Sequence, residues 1–251
     1  MLGLSEDVWS AVARISKKDQ PPRAVQLIRA ELVKVMALDD PNGLGYRIGD
    51  AVGVYAYFDY DDEPIYVGQT SSSFRDRVSR HLTGQRSDAV AKFILDPFEV
   101  ASVSMWSLPH VAVAESIKKP GHIAGAAEKK ALLNPYEYTV YKTLETQSKF
   151  HAILNEGVIQ PTELVELPPV VHARIIPEGL WEDRKHSDVR IARRAATISR
   201  LSQMISEREV SGGMRRTLLL QARRLTWLAQ QRIHEVGVEL PDAEDATIGD
   251  E

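Results

Sequence analysis

The chain has 251 residues, 43% hydrophobic and 26% charged, with a formal net charge of −4; this is the composition of an ordinary globular protein, one large domain or a core with attachments. Cysteine is absent, which excludes disulfides and thiolate metal sites and fits a reducing, cytoplasmic compartment. No apolar run approaches a membrane span, and the opening MLGLSEDVWSAVARISKKDQ reads as an amphipathic helix and not as a signal peptide.

Residues 5–37 read as two helices. In the second, Val25, Ile28, Leu32, Val33 and Met36 recur at helical spacing behind Pro22. DDPNGLG, Asp39 to Gly45, is a turn cluster. AVGVYAYFDY and PIYVGQT, interrupted by DDEP, read as a β-hairpin. SSSFRDRVSRHL then opens a helix with a serine cap and with Phe74, Val78 and Leu82 on one face. FEVASVSMWSL has strand character, and Pro120-Gly121 marks a loop. AAEKKALL and PYEYTVYKTLET read as two helical segments, with Pro135 at the start of the second.

Residues 158–182 form an irregular connector around the extended run VVHARIIP. Two long helices follow from Ser187 to Val236, split at Ser211-Gly212-Gly213. Ile191, Ile198, Leu201 and Ile205 mark the expected buried stripe of the first. Leu218, Leu225, Leu228 and Val236 are the candidates on the second. The acidic residues 237–251 read as a mobile tail. The fold class is α+β: a small sheet flanked by helices over residues 50–157, with a helical segment at 1–49 and a helical hairpin at 183–236.

Charge is uneven along the chain. From Asp183 to Val236 there are twelve Lys or Arg against five acidic residues. Arg190, Arg193, Arg194 and Arg200 are therefore candidate phosphate contacts for nucleic acid. The same helices also suit arginines that snorkel to water, or a homodimer interface serving two strands.

The polar residues along residues 55–155 have a chemical pattern. Tyr55 and Tyr66 lie on neighbouring strands of the hairpin. Arg77 and His81 are four apart and share a helix face. Glu137 begins an aromatic-rich helix, and Asn155 follows in HAILNEG. One acid, one arginine, one histidine and two phenols suit phosphodiester hydrolysis. A carboxylate holds a hard cation such as Mg²⁺ through oxygen, and cation and arginine offset charge on the phosphate. A phenol accepts a proton only if its pKa is pulled well below ~10.

GVY, then YVG, RVSRH, EYTVYKTL and LNEG together resemble a GIY-YIG nuclease over roughly residues 50–157. The resemblance implies a small mixed sheet flanked by helices and a Mg²⁺- or Mn²⁺-dependent endonuclease acting on double-stranded DNA. It implies Tyr55 as general base, Tyr66 positioning water or phosphate, Arg77 stabilising charge and His81 handling the base's proton. Glu137 would be the single metal ligand, with Glu128 as its rival, and Asn155 a brace. Restriction or another defence role is the expected setting. The alternative is a non-cutting protein that binds nucleic acid through the basic hairpin. The acidic DYDDE loop between the two strands has no role in either reading.

Overall fold

A computed structural model describes residues 21–43, 45–82, 96–111 and 126–239. The first expected helix, the Pro120-Gly121 loop and residues 240–251 lie outside the described residues.

Helix α1 (Arg23–Met36) follows Pro22 and buries Ile28, Leu32, Val35 and Met36, the i, i+4, i+7, i+8 pattern of one amphipathic face. Val33, expected in that stripe, is 47% exposed, and Val35 takes its place. Strands β1 (Gly53–Phe58) and β2 (Pro64–Thr70) form the expected hairpin. Helix α2 (Phe74–Leu82) is capped as expected, with the Asp76 N–H donating to Ser73 Oγ at 3.1 Å. Phe74, Val78 and Leu82 are all buried.

Strand β3 (Ser102–Ser107) pairs with the other edge of β1, and β4 (Val171–Arg174) pairs with β3. The sheet order is β2-β1-β3-β4, and every pairing is antiparallel. The resemblance implied a mixed sheet. Here β2 and β3 both run opposite to β1 and so parallel to each other, but β1 separates them. β4 comes from the connector at 158–182, so the sheet extends beyond the 50–157 module.

Helix α3 (Ala126–Gln147) is a single helix of 22 residues, where two segments were expected. Pro135 removes one backbone donor from its interior. Burial of Leu133, Val140 and Leu144 against Val54, Ala56 and Val67 of the sheet holds both halves on one surface and outweighs that loss. Each of these side chains is worth roughly 1.5–3 kcal/mol on full burial. The opposite sheet face, with Tyr55 and Tyr57, packs with Phe74, Val78, Ile28 and Leu32. The central strand β1 is thus covered on both faces.

Helix α4 (Glu178–Lys185) leads into α5 (Ser187–Glu207) and α6 (Gly212–Glu235). The hairpin breaks where expected, and Ser211 caps α6 by accepting from the Met214 N–H. Its buried stripes differ from the apolar reading. α5 buries Arg190, Arg194, Thr197 and Leu201. α6 buries Met214, Thr217, Leu220, Gln221, Arg224 and Leu228. Ile191, Ile198, Ile205, Leu218 and Leu225 are half-buried, and Val236 is exposed. No helix among the described residues is long and apolar enough to cross a membrane.

Candidate active site

The hairpin register pairs Tyr55 with Gly68 and Tyr57 with Tyr66. The two candidate tyrosines are therefore diagonal neighbours, with ring centroids 6.2 Å apart. A Cβ at Gly68 would lie 2.6 Å from the Tyr55 hydroxyl and 2.7 Å from its Cζ. Glycine is required there so that the phenol can cross under β2. Gly53 answers to a similar demand at the start of β1: a Cβ would lie 2.0 Å from the Trp106 carbonyl oxygen. Both glycines of the GVY and YVG triplets are thus set by close approach.

Arg77 projects from α2, and its Nε donates to the Tyr55 hydroxyl at 3.4 Å. His81 lies on the same helix, but its side chain falls outside the described set. Beyond the hydroxyl lies a cleft of about 600 Å³ along the outer edge of β2, lined in part by Tyr66, Gly68, Gln69, Arg77, Lys130 and Glu137. Strand β2, helix α2 and helix α3 each supply a wall. Glu137 sits mid-helix on α3 rather than at a helix start. Glu128 is exposed in the first turn of α3 and does not line the cleft, so Glu137 is the better placed of the two rivals.

Asn155 braces the cleft through the backbone. Its Nδ2 donates to the Val67 carbonyl at 2.7 Å, and its Oδ1 accepts from the Val67 N–H at 3.0 Å. This two-way bond satisfies the outer edge of β2 as another strand would. Tyr57 and Tyr60, read as packing residues, are both buried; the Tyr60 hydroxyl donates to the Phe98 carbonyl.

Gln69 is a site residue that the motif reading passed over. Its Nε2 donates to Glu137 Oε2 at 2.8 Å and to Asn134 Oδ1 at 3.0 Å. The sequence offers only that Gln69 follows YVG directly and that Asn134 precedes Glu137 by three residues, one helical step; neither marks a site until α3 packs on β2. Gln69 Oε1 is buried without a hydrogen-bond partner in the described structure, an acceptor suited to a bound water. Among the described residues no three His, Asp or Glu side chains cluster as a metal cage. A single carboxylate beside a spare amide oxygen in an open cleft instead fits a largely hydrated Mg²⁺, which takes one or two protein carboxylates and phosphate oxygens.

Burial pushes the Glu137 carboxyl up to about 7, against the pull of the Gln69 hydrogen bond, Lys130 and Arg77. Burial likewise raises Tyr55 well above the usual phenol value; the Tyr66 charge adds to this and Arg77 opposes it. Because Glu137 holds its proton longer folded than unfolded, its contribution to stability declines as pH rises from about 4.5 to about 7. Glu137→Gln is therefore expected to gain on the wild type between pH 5 and pH 8 in EDTA, by about 2–6 °C in melting temperature. A difference that stays constant over that range would show that the carboxyl titrates normally.

The basic-hairpin expectation needs correction. Arg190 and Arg194 are only 3% and 4% exposed. Arg190 meets Asp61 at 2.7 Å and Asp59 at 3.3 Å; Arg194 meets Glu99 at 3.1 Å and Asp59 at 3.6 Å. Arg193 meets Asp96 at 2.7 Å and stacks on Phe98. These three face carboxylates and an aromatic ring, not a phosphate surface. Of the four named, Arg200 alone is exposed.

The acidic loop is thereby explained. Asp59 Oδ1 accepts from the Asp61 and Glu63 N–H groups and closes the turn, while Asp59 Oδ2 faces Arg190 and Arg194. Glu63 meets Arg224 at 3.3 Å and accepts from Ser148. The loop holds the helical hairpin.

No protein-family model matches the chain, and neither curated proteins nor solved structures give a match.

Proposed function

We propose that the chain is a Mg²⁺- or Mn²⁺-dependent endonuclease of GIY-YIG type that hydrolyses phosphodiester bonds in double-stranded DNA. The observation that carries this reading is convergence. Tyr66, Arg77 and Glu137, from three different elements, line one cleft, and the Tyr55 hydroxyl lies behind Arg77 and Gly68.

Each residue then has a task. Arg77 offsets charge on the phosphate from beside Tyr55, where its guanidinium also draws the phenol's pKa down. Tyr55 acts as the phenolate: it first releases its own proton to solvent, and then takes the proton of the attacking water. Tyr66, on the cleft wall, orients that water or the phosphate. Glu137, held by Gln69, would bind the cation, whose charge when bound lowers neighbouring pKa values and offsets charge on the phosphate. A restriction or other defence role is the setting this reading favours, by the resemblance in sequence alone. The non-cutting alternative has lost part of its motive, since Arg190 and Arg194 are internally neutralised.

Supercoiled plasmid incubated with the protein and Mg²⁺ is expected to be nicked or linearised, and to stay intact in EDTA. Glu137→Ala is expected to slow cutting at least about 10²-fold. Intact plasmid with either metal, or a Glu137→Ala protein that cuts as fast as the wild type, would overturn the proposal.

A further inference from the structure

Three arginines of α6 stand outside the buried charge network. Arg215, Arg216 and Arg223 are exposed. At 100° per residue they share the solvent face of the helix with Leu219, Thr226 and Gln230. From Gly212 to His234 α6 contains no acidic residue. Among the described residues, Arg215 and Arg223 make no ion pair or hydrogen bond. They lie about 12 Å apart along the axis. Unlike Arg190, Arg193 and Arg194 of α5, Arg215 and Arg223 have no described carboxylate set against them.

The face also has a position relative to the cleft. Ser211 Oγ donates to Glu156 Oε1 at 3.0 Å, and Arg216 donates to the Glu156 carbonyl at 3.3 Å. Gly213 packs so closely on that carbonyl that a Cβ would lie 2.1 Å from it. Glu156 and its neighbour Gly157 line the cleft. The basic face therefore begins where the cleft ends.

We propose that the outer face of α6 grips the phosphate backbone of duplex DNA as it runs out of the cleft, with Arg215 and Arg223 as the principal contacts and Arg216 at the junction. The inference rests on the phosphodiester reading of the cleft for its direction, while the charge of the face stands independently. Guanidinium groups pair well with phosphate oxygens, and such contacts read backbone rather than base sequence. A lipid surface fits less well. A membrane-lying helix needs a broad apolar face, and Leu219, 61% exposed, is the one large apolar side chain among these six.

The double variant Arg215→Ala/Arg223→Ala removes no described hydrogen bond or ion pair, so its fold is expected to be unchanged. Binding of a labelled duplex is measured by fluorescence anisotropy in EDTA across a salt series, beside hydrolysis of thymidine 5′-(p-nitrophenyl phosphate) with Mg²⁺, a diester small enough to need only the cleft. The variant is expected to bind about tenfold more weakly at low salt. Its slope of log affinity against log salt should be shallower by about 2, with small-diester turnover unchanged.

Wild-type affinity and slope in the variant would overturn the proposal, as would a wild-type protein that does not bind the duplex. A parallel loss of small-diester turnover would also overturn it, because the substitutions would then be disturbing the cleft. Arginine-dependent binding to phosphatidylserine vesicles with duplex binding unaltered would assign the face to lipid instead. If neither protein hydrolyses any diester but the slope still changes, the DNA-binding face stands and the nuclease reading falls.

Discussion

Tyr55→Phe is expected to cut plasmid about 10²–10⁴-fold more slowly than the wild type, the range for losing a general base. Its melting temperature should fall by no more than a few degrees. Tyr55 is 0% exposed and packs with Tyr57, Tyr66 and Phe74. Phenylalanine keeps that ring contact and removes only the oxygen. The hydroxyl accepts from Arg77 at 3.4 Å, a long bond whose loss costs about 1 kcal/mol or less. A large kinetic loss with a small stability loss therefore separates chemistry from packing. Tyr66→Phe is the internal comparison: its side chain lines the cleft, and on this reading it orients rather than accepts a proton. It should lose less than Tyr55→Phe. Normal cutting by Tyr55→Phe would move the base elsewhere, and a greater loss in Tyr66→Phe would point to the cleft-facing phenol.

Arg194→Ala is expected to destabilise the fold by about 3–5 kcal/mol, the cost of breaking one side of a buried ion pair. The substitution leaves Glu99 with Arg190 at 3.9 Å as its remaining described ion pair, and Asp59 with Arg190 at 3.3 Å. It also opens space between α5 and the β1–β2 turn. Urea unfolding should show the midpoint falling sharply with little change in slope. Replacing Arg194 and Glu99 together by Met and Leu should recover much of the loss, because an apolar pair leaves no orphan charge. If instead Arg194→Ala unfolds like the wild type and loses only DNA affinity, the side chain faces phosphate after all. Arg232 offers a contrast in the same hairpin. Its bidentate bonds to Asp188, 2.9 Å each, lie at an exposed position, where such pairs contribute little.

The two arginines that behave differently, Arg194 and Arg215, look alike in the sequence. Each sits in a helix beside another arginine, and each counts once toward the same basic stretch. The distinction lies in their surroundings: Arg194 meets Glu99, and Arg215 meets no described carboxylate. Gln69 escaped notice for a related reason. A polar residue at a strand end is unremarkable until α3 brings Asn134 and Glu137 against it. Pro135 misled in the opposite sense. A proline in a helical run marks a boundary by local rules, yet the sheet beneath α3 keeps the helix unbroken.

The hairpin of β1 and β2, the serine cap and apolar face of α2, and the split between α5 and α6 could be placed from neighbouring residues alone. Turn chemistry, capping and periodicity act within a few positions of the chain. The meaning of DYDDE could not be placed that way. Arg190 and Asp61 are 129 residues apart in the chain, and a helical wheel does not distinguish an arginine facing water from one facing a carboxylate. Long-range packing made the acidic turn a socket for α5 and α6, and left Arg215 and Arg223 on the outer face of α6 with no described carboxylate against them.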